Sequence, residues 1–330
     1  LLNASPDELL PTTPLFRIEE TIQSYGGSEG NDYLAFPAIV KSGRNEILIS
    51  YKRGKSHARD PGAELEIIRF DLSSGKTTQD AIQIGAPEAI MQMGEWIRFP
   101  NRQLATYIDV QKIDEQGQHY RTGLMRATSA DNGKTFNPLE KVGLIEGVEY
   151  GYLFDSVTIG QRLYALVMTF EYLIGGRRSV DAIYTEDNGS NWHFIRNLSS
   201  EFGDIRINES SFIAFEKGFL VTTRGYDEKA RLHKVDIEFK LIQESSLTDA
   251  SPTISSYIGR PRLFSHENEF YLIGRNHRAQ RAEWPMELAL IRFDPKSLAI
   301  EQHTVLDNIE QGKVTDGYYP SPIIFDNGDQ

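Results

Sequence analysis

Two spacings in the chain bring together residue types that can do chemistry. Glu209 precedes Arg224 by fifteen residues, and Arg260 precedes Arg275 by fifteen. Both pairs lie in phrases of one grammar, a polar or small residue, an apolar run, a turn and a second apolar run: NESSFIAFEKGFLVTTR and GRPRLFSHENEFYLIGR. A third phrase, YYPSPIIFDNG, opens in the same way and carries Tyr318 and Tyr319. A guanidinium grips a carboxylate through a fork of donors that Lys does not have, and a carboxylate within reach of a hydroxyl takes its proton. The duller reading is that Glu209 and Arg224 form an ion pair of structural value alone. Both readings stay open at this point.

Other chemistries have less to stand on. With no Cys there is no thiol nucleophile, disulfide or thiolate metal site. The seven His lack ligand spacing and no glycine-rich phosphate loop is present, so neither a metal nor a cofactor is expected. A formal net charge of −12 opposes binding to nucleic acid or to an anionic membrane, while leaving room for a local basic pocket. No apolar run is long enough to span a bilayer. NGS, NLS and NES match glycosylation sequons, whose meaning depends on the host. The expected setting is secreted or periplasmic, with no leader visible; oligomeric state is not legible.

The elements that must position these residues are short and apolar or alternating: EILISY, LEIIRFDL, QLATYIDV, RLYALVMTF, GFLVTTR, EFYLIGR and ELALIRFD, each bounded by turn residues. No long stretch has a helical period with caps, so the class is all-β. The chain also repeats. ATSADNGKTF and YTEDNGSNW share a hydroxyl–x–Asp–x–Gly–x–x–aromatic rule, with Asp131 and Asp187 56 residues apart. DLSSGKTT from Asp71 is a degraded copy, and FDPKS from Phe293 falls about two periods after Asp187. An Asp that accepts backbone N–H bonds, a Gly at positive φ and an aromatic plug make a stable turn, so these boxes are read as structural. A period near 56 with several strands per unit is that of β-propeller blades. Full units begin near Tyr33, Met93, Leu153, Asn208 and Gly259, and a sixth begins at Tyr318. The expectation is a single six-bladed domain over 1–330, its last blade closed by the N-terminal segment LFRIEETIQ.

With the boxes and the period in place, the sequence resembles the sialidase (neuraminidase) superfamily over most of its length, Tyr33 to Gly328. Boxes of this kind also occur in other propeller proteins; the phrases around the expected pocket add weight. INESSFIAFEKGFLVTTRG is similar to the segment bearing the catalytic Glu and a carboxylate-binding Arg, which implies Glu209 and Arg224. ISYKRGKSHARDPGAELEII is similar to the segment with an Arg at a strand end and the acid/base Asp in the next loop, which implies Arg53 and Asp60. DGYYPSPIIFDNG resembles the segment of the nucleophilic Tyr, which implies Tyr319, with Tyr318 as neighbour and competitor. GRPRLF would carry a further carboxylate-binding Arg, Arg260 by register or else Arg262. One departure matters. The family opens its first blade with Phe-Arg-Ile-Pro, and here LAFPAIV has Ala35 at the Arg position. A lost charge-assisted hydrogen bond of about 1.5–3 kcal/mol weakens binding by roughly ten- to a hundred-and-fifty-fold.

The resemblance implies a retaining exo-glycoside hydrolase acting on a terminal acidic sugar, sialic acid or a related ulosonic acid, with an acidic glycan or glycoconjugate as partner. Sialidases use a Tyr nucleophile, because the substrate's own carboxylate repels an anionic attacker. A phenol with pKa near 10 needs help, so Glu209 would take the Tyr319 proton. Asp60, in a loop flexible enough to cover the pocket, would protonate the leaving oxygen. Arg224 and Arg260 would hold the carboxylate, with Asp155 and Arg260 on the rim and Arg53, Arg224 and Arg275 one strand further out. The remainder of RNHRAQR, with His277, Arg278 and Arg281, reads as a solvated loop at the pocket mouth, as does GGRRS at Arg177 and Arg178. Two alternatives follow from Ala35 and from the fold: a hydrolase or lyase for another acidic glycan such as a uronate, and a non-catalytic glycan-binding propeller.

Overall fold

A computed structural model describes residues 33–169, 179–254, 256–277, 284–312 and 317–324. Their strands form five antiparallel sheets, each strand pairing the next with one exception in the first sheet. The first sheet contains β1 (Tyr33–Lys41), β2 (Glu46–Gly54), β3 (Glu64–Asp71) and β4 (Lys76–Thr77), with β5 (Ile82–Ile84) also pairing β3. The second contains β6 (Ala89–Arg98), β7 (Leu104–Ile113), β8 (His119–Ser129) and β9 (Glu140–Lys141). The third is β10 (Tyr150–Ile159), β11 (Arg162–Thr169), β12 (Ser179–Thr185) and β13 (His193–Asn197). The fourth is β14 (Ile207–Phe215), β15 (Gly218–Gly225), β16 (Ala230–Asp236) and β17 (Leu241–Ser246). The fifth is β18 (Ile258–His266), β19 (Glu269–His277), β20 (Trp284–Phe293) and β21 (Ile300–Gly312). This is the blade pattern of a β-propeller.

Five blades are built among the described residues, where six were expected. The described part of the sixth phrase, 317–324, carries no strand. Pro320 and Pro322 offer no N–H to a ladder, which is the physical reason that stretch does not pair as a central strand. The N-terminal segment LFRIEETIQ lies outside the described residues.

The chain packs as two compact units, one holding the described residues of 20–177, 183–194 and 321–330, the other those of 178–182 and 195–320. In the first unit, Leu48, Leu65 and Ile67 pack with Met91, Trp96 and Ile108, so blades 1 and 2 bury each other's apolar faces. In the second, Leu220 and Leu232 pack with Ile258, Leu272 and Ile291, joining blades 4 and 5. Each fully buried aliphatic side chain of this kind contributes about 1.5–3 kcal/mol.

The two repeated turns are built alike. Ser129 Oγ and Thr185 Oγ1 each donate to the Asp two residues on and each accept the Gly N–H four residues on. Asp131 then accepts the N–H of Thr135, and Asp187 that of Asn191. Both glycines have φ of 81°, and a Cβ at Gly133 would lie 2.2 Å from Leu48 Cδ1, in the preceding blade. The turn therefore needs glycine both for its backbone and for this close approach. Phe136 packs near Trp96, and Trp192 meets Tyr107 edge-on at 6.0 Å. These turns lock a blade to its predecessor.

Candidate functional site

The site residues are delivered by irregularities in the first ladder of each blade. In blade 4, Ile207 pairs Gly225 and Ser210 pairs Thr223, so Asn208 and Glu209 face the single residue Arg224. In blade 5, Gly259 pairs Arg275 and Arg262 pairs Ile273, so Arg260 and Pro261 face Gly274. In blade 1, Ala35 pairs Lys52 and Ala38 pairs Ser50, leaving Phe36 and Pro37 in the bulge. Such bulges re-aim side chains and are common beside active sites. Arg260 and Phe36 both precede a proline and both have left-handed backbones, φ 45° and 54°. A bulky residue held there costs on the order of 1–3 kcal/mol, and the surroundings must over-determine it.

Glu209 is the hub of the second unit. Its Oε2 accepts from Arg224 Nη1 at 2.7 Å and from the Arg260 backbone N–H at 2.9 Å. Only 13% of its side chain is exposed. Burial works to raise this carboxyl, but Arg224, Arg275 and the Arg260 N–H outweigh it and hold the group at about 2. The Arg260 guanidinium lies over the Tyr319 ring at 4.7 Å, and Arg224 over the Tyr257 ring at 4.0 Å. Arg275 feels both Glu209 and Tyr319 electrostatically. Its Nε donates to His277 Nε2 at 3.1 Å and its Nη1 to the Tyr318 carbonyl at 3.4 Å. Tyr318 itself is raised well above the usual phenol range by burial and by Asp307.

Five of the expected residues are thus brought together: Glu209, Arg224, Arg260, Arg275 and Tyr319. Counted from the hairpin turns, Glu209 and Arg260 are equivalent, as the shared spacing of fifteen leads one to expect. The bulge in β18 falls one residue nearer its turn, so Arg275 lands opposite Gly259 while Arg224 lands opposite the bulge. Arg262 is buried on the same strand.

The first unit differs from the second. Asp60 is 5% exposed, and its Oδ2 accepts the N–H groups of Lys55 at 2.6 Å and Ser56 at 3.1 Å, which anchors the loop expected to be flexible. Arg53 pairs with Glu66, at 2.6 Å, a carboxylate that also accepts from the Tyr51 hydroxyl. And the blade-1 counterpart of Arg260 by bulge register is Phe36, whereas Ala35 corresponds to Gly259. The counterpart of Arg275 is then Lys52, which sequence reasoning passed over. Lys52 is fully buried and donates to the carbonyls of Ser56 and His57 and to Gln92 Oε1, with Asp60 at 3.7 Å. Burial lowers its ammonium to about 8 against the pull of Asp60. A Cβ on Gly54 would collide with the Asp60 carboxylate. Lys52 and Asp60 together fasten the 55–60 loop.

His277 was also misjudged. It is wholly buried, as is most of Arg275, so the first part of RNHRAQR is core and not solvated loop. Tyr257, just before β18, was missed because an isolated aromatic beside an apolar run looks like packing. Asp155 accepts the N–H of Ser156. Arg177, Arg178, Arg278 and Arg281 lie outside the described residues. Among the described residues no group of acidic and His side chains is placed to hold a metal, and no helix is long and apolar enough to cross a membrane.

Solved structures place this geometry in context. A protein of unknown function from Dyadobacter fermentans superposes with a TM-score of 0.70 at 14% identity, covering 90% of this chain and 88% of its own. A point mutant of NanB sialidase from Streptococcus pneumoniae superposes with a TM-score of 0.62 at 11% identity, covering 92% of this chain and 66% of that one. The fold is sialidase-like. Trypanosoma rangeli sialidase in complex with sialic acid agrees, with a TM-score of 0.54 at 12% identity over 85% of this chain and 48% of that one. The sialidase-like propeller here spans between about half and two thirds of the length of these two sialidases. No protein-family model and no curated protein sequence matches the chain.

Proposed function

We propose that this sialidase-like propeller is a glycoside hydrolase for a terminal acidic sugar, sialic acid or a related ulosonic acid, with Tyr319 as nucleophile and Glu209 as its base. The observation that carries the reading is the convergence of Glu209, Arg224, Arg260 and Tyr319 from two blades and the 317–320 segment. The guanidiniums of Arg224 and Arg275 act on one carboxylate and that of Arg260 lies over the Tyr319 ring, an excess of positive charge suited to an anionic ligand.

A carboxylate held at about 2 is ionised at neutral pH but is a weak base. A substrate carboxylate drawn to the same guanidiniums competes with Glu209 for them, and the proton affinity of Glu209 rises as its partners are shared. The Tyr319 proton then moves to Glu209 as the phenolic oxygen attacks the anomeric carbon; the glycosidic bond breaks, the leaving oxygen takes a proton from solvent, and water then cleaves the tyrosyl–sugar bond as Glu209 returns its proton to Tyr319. The test is release of a fluorophore from an α-sialoside, compared between the native chain and Tyr319→Phe. Inertness of the native chain on sialosides and on other ulosonic-acid glycosides would defeat the proposal.

A second reading, an acidic sugar of another kind such as a uronate, is favoured by blade 1. There Phe36 and Lys52 stand where blade 5 has Arg260 and Arg275, and Lys52 is committed to the 55–60 loop. A lyase acting on such a glycan would leave an unsaturated product that absorbs in the ultraviolet, which separates it from a hydrolase.

A further inference from the structure

Arg275 meets a partner of a different kind from that of Arg224. Arg224 is gripped by a carboxylate, Glu209. Arg275 gives its Nε–H to an imidazole, His277 Nε2, at 3.1 Å. An arginine is always a protonated donor, so Nε2 must present its lone pair and the ring proton must sit on Nδ1. The imidazole is therefore neutral. Its setting keeps it so: His277 has no solvent exposure, its ring lies 4.9 Å from that of Tyr257, and the Arg224 guanidinium covers the same Tyr257 ring at 4.0 Å. Burial first, then the charges of Arg275 and Arg224, push its pKa down to about 3, against the opposing pull of Glu209.

The backbone around Arg275 is cut to fit. A Cβ on Gly259, its ladder partner, would lie 2.6 Å from Arg275 Nη2, and one on Gly317 would lie 2.5 Å from Arg275 Cδ. The Tyr318 carbonyl accepts from Nη1 at 3.4 Å. Two glycines, one carbonyl and one imidazole thus fix the guanidinium plane. A carboxylate behind Nε would orient it as well, but would cancel its charge at short range.

We propose that His277 is a positioning residue for Arg275, orienting the guanidinium through a neutral acceptor that adds no opposing charge at Nε, so that Arg275 can serve an anionic ligand beside Glu209. The proposal rests on the acidic-sugar reading for the identity of that anion, but not for the His277 arrangement itself. His277 does not touch the reacting atoms; it acts through Arg275. The sequence pairing it fits is Arg-x-His on one strand, with both side chains on the same face of β19.

Three substitutions and one spectrum test this. In His277→Gln the amide oxygen still accepts from Nε, in His277→Phe the ring packing against Tyr257 remains but the acceptor is gone, and in His277→Glu the acceptor carries a charge. Binding of N-acetylneuraminate, measured by calorimetry, is expected to weaken about tenfold or more in the Phe and Glu variants, with Gln restoring most of the loss. Nitrogen-15 spectra of the native chain are expected to show the Nδ1–H neutral tautomer of His277, unchanged from about pH 8 to about pH 5. An Nε2–H tautomer or an imidazolium in that range overturns the proposal whether or not any sugar binds. Native affinity in a folded His277→Phe variant overturns it too. Should that variant not fold, equal affinity in the Gln and Glu variants does so instead. Failure of the native chain to bind N-acetylneuraminate, with the tautomer as expected, counts against the acidic-sugar reading and leaves the positioning arrangement supported.

Discussion

Arg260 reaches Glu209 through its backbone and Tyr319 through its side chain: its N–H donates to Glu209 Oε2 at 2.9 Å, while its guanidinium lies 4.7 Å from the centre of the Tyr319 ring. One residue in a left-handed bulge therefore couples a strand of blade 4 to the 317–320 segment.

Glu209→Gln should flatten the acid side of the stability profile. The native carboxyl is held at about 2, against 4.5 in an unperturbed chain. The unfolded chain therefore binds the proton more tightly. The stabilisation is complete above about pH 4.5 and is lost as pH falls through about 2, a contribution on the order of 3 kcal/mol. Urea unfolding across that range should show the slope in the native chain and little of it in the variant.

The two kinetic pH profiles should differ on the acid side. The limb in kcat/KM reports Glu209 in the free protein, and the limb in kcat reports it with substrate bound. Because a bound carboxylate shares the guanidiniums, the kcat limb should lie higher by about one unit or more. Coincident limbs would mean that the substrate does not compete with Glu209.

Gly259→Ala should displace Arg275, because the new methyl would meet Arg275 Nη2 at 2.6 Å. The expected result is at least about tenfold weaker binding of an acidic sugar. Blade 1 carries Ala35 in the same register opposite Lys52, so the backbone there accepts a Cβ. The loss in the variant is thus specific to the guanidinium, and circular dichroism should be unchanged.

Lys52→Met should destabilise the first unit by about 3–5 kcal/mol, since it leaves Asp60 buried without its cation. Adding Asp60→Asn should recover part of that loss. Additive losses in urea midpoints would show that the two side chains do not act as a pair.

Much of the fold was legible in the sequence because blades announce themselves twice, through alternation and through turns. Starts expected near Tyr33, Met93, Leu153, Asn208 and Gly259 appear at Tyr33, Ala89, Tyr150, Ile207 and Ile258. The Glu209–Arg224 pair was legible for the same reason, since a ladder fixes which residues lie across from each other. Bulges were not. An extra residue shifts register without leaving a compositional mark, which is why Phe36 takes the place of Arg260 by bulge register while Ala35 takes it by distance from the hairpin. Lys52 and His277 were missed because charged residues near strand ends ordinarily face water, and only the packing around them reveals burial. The anchoring of Asp60 was not legible, because its two backbone hydrogen bonds come from a turn that the sequence does not spell out.

The central claim, that these guanidiniums and this phenol serve one anionic sugar, is tested most directly by a crystal structure of the chain soaked with N-acetylneuraminate. The expected result is a sugar carboxylate within about 3 Å of the Arg224 and Arg275 guanidiniums, with the anomeric carbon beside the Tyr319 hydroxyl. A sugar bound away from Glu209, or one whose carboxylate points away from these arginines, would contradict it.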